Sequence, residues 1–207
     1  CIRYAKAHGK GYEDMNLICC HIGGGVTVAA HRHGKYFCVN DAVNGDGPMA
    51  PTRAGWLPAT DVVKMCFSGK YTEKEMYDRI VKSGGITDHL GTADMRTVVE
   101  RIENGDRYAK LIYDAFIYQI AKAVGGCAAA LRGNVDAIIL TGGVAHDRYL
   151  VENLTGYISW IAPISVQAGE FEMEALAAGA VRAMDGEEGI LEYTGVPVWQ
   201  NFDSYKE

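Results

Sequence analysis

The stretch "VDAIILTGGVAHD", Val135 to Asp147, constrains the fold more than any other part of the chain. An apolar run this short, closed by Gly142-Gly143, reads as a strand buried on both faces. Such a strand belongs to a parallel sheet, and a parallel sheet needs helices to cover it. The text that follows fits. A helix is expected over 147–160, a strand in "APISVQAG" (162–169) and a helix in "EMEALAAGAVRAM" (172–184), with an irregular tail from Gly186. Strand–helix alternation argues for parallel strands joined by crossing helices.

The first forty residues read differently. A short helix precedes "LICCHIGG" (17–24), a buried strand ending in glycines. "VTVAAHRHGKYFCVND" (26–41) carries the turn signal His33-Gly34-Lys35 between two runs rich in β-branched and aromatic residues, the pattern of a hairpin. A mixed α/β sheet flanked by helices is therefore the expected architecture. Between the halves lies a loop (42–61) dense in Gly, Pro, Asn and Asp, then helices in "ATDVVKMCFS" and "TEKEMYDRIVKSGG", the second with Thr72 as N-cap. The clearest helix is 105–133, where Ile112, Phe116, Ile120 and Val124 repeat every four residues and Lys110, Asp114 and Lys122 mark another face. Gly125-Gly126 inside it costs about 1 kcal/mol per glycine relative to Ala. Close packing against a neighbouring backbone is the expected reason.

Composition excludes some functions. The chain has 26 acidic and 20 basic residues, a net charge of −6, and no basic run, which argues against a nucleic-acid partner. No apolar run is long enough to span a bilayer, and the first residues lack the continuous apolar core of a signal peptide. The 6 cysteines show neither C-x-x-C nor zinc-ligand spacing. A reducing, cytoplasmic location without a membrane partner is expected.

Five segments carry candidate chemistry, each with a plainer structural reading beside it. Gly23-Gly24-Gly25 after His21 would let backbone amides approach an anion, or would only turn a hairpin. The segment is neither a P-loop, since no G-K-[ST] follows, nor the G-x-G-x-x-G dinucleotide motif. Arg53 stands in a Pro/Gly frame suited to fork a phosphate or carboxylate, or is a surface arginine. "GTADMR" (91–96) would cap a helix through Thr92 or Asp94, and a site can share that helix start. "LTGGVAHD" (140–147) is a strand-to-helix turn that suits nucleotide approach. Glu170, Glu172 and Glu174 are favourable acids at a helix start, or ligands for Mg2+.

In this order, "CHIGGGVTVAAH", "PTRAG", "TADMR" and "LTGGVAHD" resemble the conserved segments of the acetate and butyrate kinase family, within the sugar kinase/Hsp70/actin superfamily of ribonuclease H-like ATPase domains. The resemblance runs from about Arg3 to Met184, and Gly24, "NGDGP" and "APISVQAGEFEMEALAAGAVRAM" place it on the butyrate kinase side. It implies reversible phosphoryl transfer between butanoyl phosphate plus ADP and butyrate plus ATP, with Mg2+. His21 and Arg53 would be catalytic and, with Gly23, Gly24 and Gly25, phosphate-binding. Asp94, Met95 and Arg96 would border the adenosine opposite Gly142, Gly143, Val144 and Ala145. Glu172, or its neighbour Glu170, would hold the metal.

The departures are Val144-Ala145-His146-Asp147, where acetate kinases have Ile-Gly-Glu-Asn, and Phe171, which can align with their essential acid. The resemblance also implies that residues 1–207 are a single C-terminal, nucleotide-binding domain that lacks a preceding domain and dimerises with a second copy. Three alternatives stay open: an acetate or propionate kinase, a branched-chain fatty-acid kinase, and a non-catalytic nucleotide-binding or interaction module.

Overall fold

The computed structural model describes Cys1 to Val196. It divides into two compact units, Cys1–Glu170 and a second that begins at Phe171. The first unit holds a five-stranded sheet: β1 (Asn16–Ile22), β2 (Val26–Arg32), β3 (Lys35–Val39), β4 (Ala137–Gly142) and β5 (Ile164–Ala168), in the order β3-β2-β1-β4-β5. β1 pairs antiparallel with β2, and β2 with β3, while β4 and β5 run parallel to β1. This is the mixed α/β sheet expected, in ribonuclease H-like order. His33 and Gly34 both take positive φ, 49° and 75°, in the two-residue turn between β2 and β3. That conformation matches the right-handed twist of a hairpin.

The helices of this unit are α1 (Ile2–Ala7), α2 (Ala59–Cys66), α3 (Glu73–Val81), α4 (Ile86–Leu90), α5 (Met95–Glu103), α6 (Arg107–Ala130) and α7 (Arg148–Ile158). α6 and α7 cover one sheet face. Ile112, Phe116, Ile120 and Val124 of α6 join Leu150, Leu154 and Ile158 of α7 in one core with Ile18, Cys20, Ile22, Val28, Ile138 and Leu140 of the sheet. Alternate strand residues Leu17, Ala137 and Ile139 point the other way, onto Tyr4, Ala5 and Met15. Period-two alternation thus loads both faces of β1 and β4 with apolar side chains. Capping fixes where the helices start. Asp106 accepts from the Tyr108 and Ala109 amides, and Thr72 forms a reciprocal capping box with Glu75. α4 has no counterpart in the sequence reading.

In the second unit, α8 spans Glu172–Met184, as expected, and Arg182 pairs with Glu188 at 3.0 Å. No regular element follows Gly186 up to Val196, and the rest of the expected irregular tail lies outside the described residues. All six cysteines are free. Among the described residues no helix is long and apolar enough to cross a membrane.

The expectation for Gly125-Gly126 is corrected. Among the described residues, nothing lies within 4 Å of a Cβ built at either glycine, so no neighbouring backbone packs there. Both sit inside α6 without positive φ. Gly125→Ala and Gly126→Ala should each stabilise this chain by about 0.5–1 kcal/mol. A rise in the urea midpoint is the expected readout.

His31 is buried in β2, its Nδ1 2.5 Å from the Tyr12 hydroxyl and its ring 4.4 Å from that of Tyr36. Its Nε2 is buried without a partner. Burial, helped by the positive amino terminus, pushes the imidazole down to about 4 from its ordinary 6.5. Between those values the unfolded chain binds more protons than the folded one, so stability rises with pH across that window and is lost as pH falls. His31→Phe should flatten this dependence, as read from urea midpoints at several pH values between 4 and 6.5.

Candidate active site

The parallel pairing brings three strand ends to one edge of the sheet. His21 of β1 stands beside Thr141 of β4, and Thr141 beside Gln167 of β5. Each strand then exits through glycine: Gly23, Gly142-Gly143 and Gly169. In α/β sheets the crevice outside such carboxyl ends is where ligands bind. A cleft of about 550 Å³ opens there, lined among others by Gly23, Gly24, Pro51, Asp94, Met95, Arg96, Gly143, Val144, Asp147 and Glu170.

The glycine turn forms the floor. The Gly23 amide donates to the Gly25 carbonyl at 2.9 Å, while the Gly24 and Gly25 amides have no acceptor among the described residues. The imidazole of His21 lies over Gly23, its Nε2 3.3 Å from where a Cβ there would sit. The guanidinium of Arg53 lies over Gly25, its Cζ 2.8 Å from the corresponding point. Neither side chain has a hydrogen bond or ion pair among the described residues, and the Arg53 Nε is buried with no partner. An unpaired imidazole and an unpaired guanidinium flank two free amides, a set of groups that suits an anion as well as it suits a hairpin turn.

The Arg53 loop is tied down on two sides. Towards the glycine turn, the Thr52 amide and hydroxyl both donate to the Gly24 carbonyl, at 3.3 and 3.0 Å. Behind it, the Gly84 amide donates to the Thr52 carbonyl, Ile86 to Ala50, and Thr87 to Pro51 through both its amide and hydroxyl. Gly85, at φ 62°, allows this approach, because a Cβ there would collide with the carbonyl oxygens of Ala50 and Arg53.

The walls come from α5 and from the 3₁₀ turn Gly143–His146. Asp94 caps α5 by accepting the Arg96 amide at 3.0 Å and also grips the Arg96 guanidinium. That side-chain bond holds the Asp94 carboxyl below the usual range. Met95, Val99 and Val144 add apolar surface. Asp147 caps α7 through the Tyr149 and Leu150 amides and accepts a bond from the buried Tyr113 hydroxyl, whose proton is held far more tightly than usual by burial and by that carboxylate. Gly142 takes φ 93° and packs so closely on the Ile22 backbone that a side chain there would collide with it. Its amide and carbonyl exchange bonds with Gly169 at 3.1 Å. This pairing sets Glu170 in the cleft, its carboxylate 3.9 Å from where a Cβ on Gly143 would be.

Of the residues singled out from sequence, Gly23, Gly24, Asp94, Met95, Arg96, Gly143 and Val144 line the cleft. His21, Gly25 and Arg53 stand at its glycine floor. Gly142 and the buried Ala145 lie behind the wall. Glu172 opens α8 in the second unit, whereas its neighbour Glu170 is in the cleft. Sequence reading missed the mount formed by Thr52, Gly84, Gly85 and Thr87, and the cleft residues Val99, Glu100, Glu103 and His146. The sequence signal for the mount is the Gly84-Gly85 pair that closes the stretch "TEKEMYDRIVKSGG".

Residues 2–159 match the profile of the acetokinase family. The chain belongs to the acetokinase family. A probable butyrate kinase of Clostridium botulinum, strain Alaska E43, is 54% identical over 186 residues, 90% of this chain and 52% of that relative. Butyrate kinase 1 of Clostridium acetobutylicum is 45% identical over 191 residues, 92% of this chain and 54% of that relative. The chain thus spans about half the length of the curated relatives it matches. Among solved structures, the acetate kinase of Porphyromonas gingivalis superposes with a TM-score of 0.77 at 23% identity, covering 86% of this chain and 52% of that one. A propionate kinase of Francisella tularensis gives 0.74 at 22%, covering 83% and 50%. These two likenesses establish the fold of this acetokinase domain.

Gly85 tests the mount. Gly91 also has positive φ, 72°, but open space around it. Gly91→Ala should cost only the left-handed backbone penalty, about 1–2 kcal/mol. Gly85→Ala should cost more, because φ 62° with ψ −135° is a conformation nearly reserved for glycine, and overpacking adds about 1–3 kcal/mol. Urea unfolding of the two variants separates the terms.

Proposed function

We propose that the chain forms the nucleotide-binding half of an ATP-dependent carboxylate kinase of the butyrate type, interconverting butanoyl phosphate plus ADP with butyrate plus ATP. The observation that carries this reading is the unpaired imidazole of His21 and guanidinium of Arg53 over a glycine turn with two free amides. Butyrate kinases at 45–54% identity support the choice of acyl group.

Phosphoryl transfer asks little covalent chemistry of a protein. It asks for position and for charge placed where the transferring group develops it. His21 would donate to the transferring phosphoryl oxygens, with the Gly24 and Gly25 amides beneath. Arg53 would fork the acyl carboxylate or those same oxygens. The adenosine would lie between Asp94-Met95-Arg96 and Gly143-Val144, with Met95 and Val99 against the base and the polar Asp94 and Asp147 near the ribose. Mg2+ takes one or two protein carboxylates beside phosphate and water oxygens. Glu170 in the cleft fits that demand, and Glu172 is the alternative acid. The ion would neutralise charge on the nucleotide phosphates. Closure against a preceding domain would keep water from the acyl phosphate. A homodimer formed through this domain belongs to the same reading.

The test is His21→Ala in a full-length protein carrying this chain, with acyl phosphate trapped as the hydroxamate. We expect kcat to fall by about 100-fold or more while KM changes only a few-fold, the signature of an interaction made in the transition state. An unchanged kcat would return His21 to a structural role.

A further inference from the structure

The three glycines of the turn look equivalent in sequence, but their surroundings differ. Nothing lies within 4 Å of a Cβ built at Gly24. At Gly23 the nearest atom is the His21 Nε2, at 3.3 Å. At Gly25 the new carbon would overlap the Arg53 guanidinium, 2.8 Å from Cζ and 3.5 Å from Nε. The guanidinium therefore occupies the volume that any side chain at position 25 would take. Gly25 does not have positive φ, so its backbone conformation is open to alanine, and the three nearest atoms to the new carbon all belong to Arg53.

Arg53 needs such a seat. A free arginine side chain carries about 2 kcal/mol of rotamer entropy. The usual restraint, a carboxylate or carbonyl partner, is missing among the described residues, although the Nε is fully buried. What remains to hold the side chain is the backbone of its own loop, tied to Gly24 through Thr52, and the flat glycine surface beneath it. An unpaired but located guanidinium keeps its donors for an incoming anion and needs no rearrangement when that anion arrives.

We propose that Gly25 is a positioning residue whose missing side chain is the seat of the Arg53 guanidinium, and that this seat, in addition to the backbone amide that any non-proline residue would offer there, is what glycine at position 25 contributes. The structural half of the proposal stands on the geometry alone. The functional half rests on the reading of Arg53 as an anion-binding group.

Two measurements test it. In 15N-labelled 207-residue chain, the buried Arg53 Nε–H, identified by its loss in Arg53→Lys, should exchange slowly with water. Gly25→Ala should speed that exchange about tenfold or more while the β-sheet amides keep their protection, and Gly24→Ala should leave it unchanged. Undiminished Nε–H protection in Gly25→Ala overturns the seat. In a full-length protein carrying the chain, Gly25→Ala and Arg53→Gln are combined in a double-mutant cycle on kcat/KM. If Gly25 acts through Arg53, the double variant should lie within about threefold of Arg53→Gln alone. Multiplying losses overturn the coupling. An inactive parent enzyme would overturn the kinase reading alone, and the Nε–H exchange would still decide the seat.

Discussion

The parallel register of β1, β4 and β5 is the constraint on which the rest depends. It sets His21, Thr141 and Gln167 side by side, so that three chains leave the sheet at one edge. Parallel pairing cannot be made by a tight turn, because each return needs a crossover. Here the crossovers are α2 to α6 before β4, and α7 before β5. The apolar faces of α6 and α7 cover the sheet and so satisfy the burial that parallel strands require. The same event, strand pairing under helices, closes the core and opens the cleft.

The cleft then divides its labour by chemistry. Its floor is backbone and nitrogen-bearing side chains: two free amides, an imidazole and a guanidinium, without hydrogen-bond acceptors among the described residues. Part of its wall is internally satisfied. Asp94 and Arg96 neutralise each other, and Asp147 is saturated by Tyr113 and two amides. Unpaired donors at the floor cost stability that paired groups do not, because a buried polar atom without a partner loses its hydration. At the cleft that cost falls on the buried Arg53 Nε, where the proposed reading puts negative charge.

Local signals were legible in the sequence wherever they answered to local physics. The Thr72 capping box, the Asp94 cap, the His33-Gly34 turn and the four-residue repeat of α6 each depend on neighbours within one turn or one hairpin. What resisted reading depended on distant chain. α4 has only five residues, and its start at Gly85 has meaning only against the Ala50 and Arg53 carbonyls, thirty-odd positions upstream. The Gly125-Gly126 pair was given a packing partner that the described residues do not supply. Glu170 is set in the cleft by the Gly142–Gly169 pairing, which no spacing in the sequence announces. The anion floor was half legible: the glycines and Arg53 could be singled out, but that Gly25 and Gly24 face different neighbours could not.

The pair of hydrogen bonds that Thr52 donates to the Gly24 carbonyl has a consequence for anyone who redesigns this protein. The glycine turn and the arginine loop are one mechanical body, backed by Gly84 to Thr87. A library that varies only one of these segments samples sequences its fixed partners reject, so productive changes to substrate choice should arrive as linked sets across all three. The same linkage means that drift at one segment would leave a correlated trace at the other two.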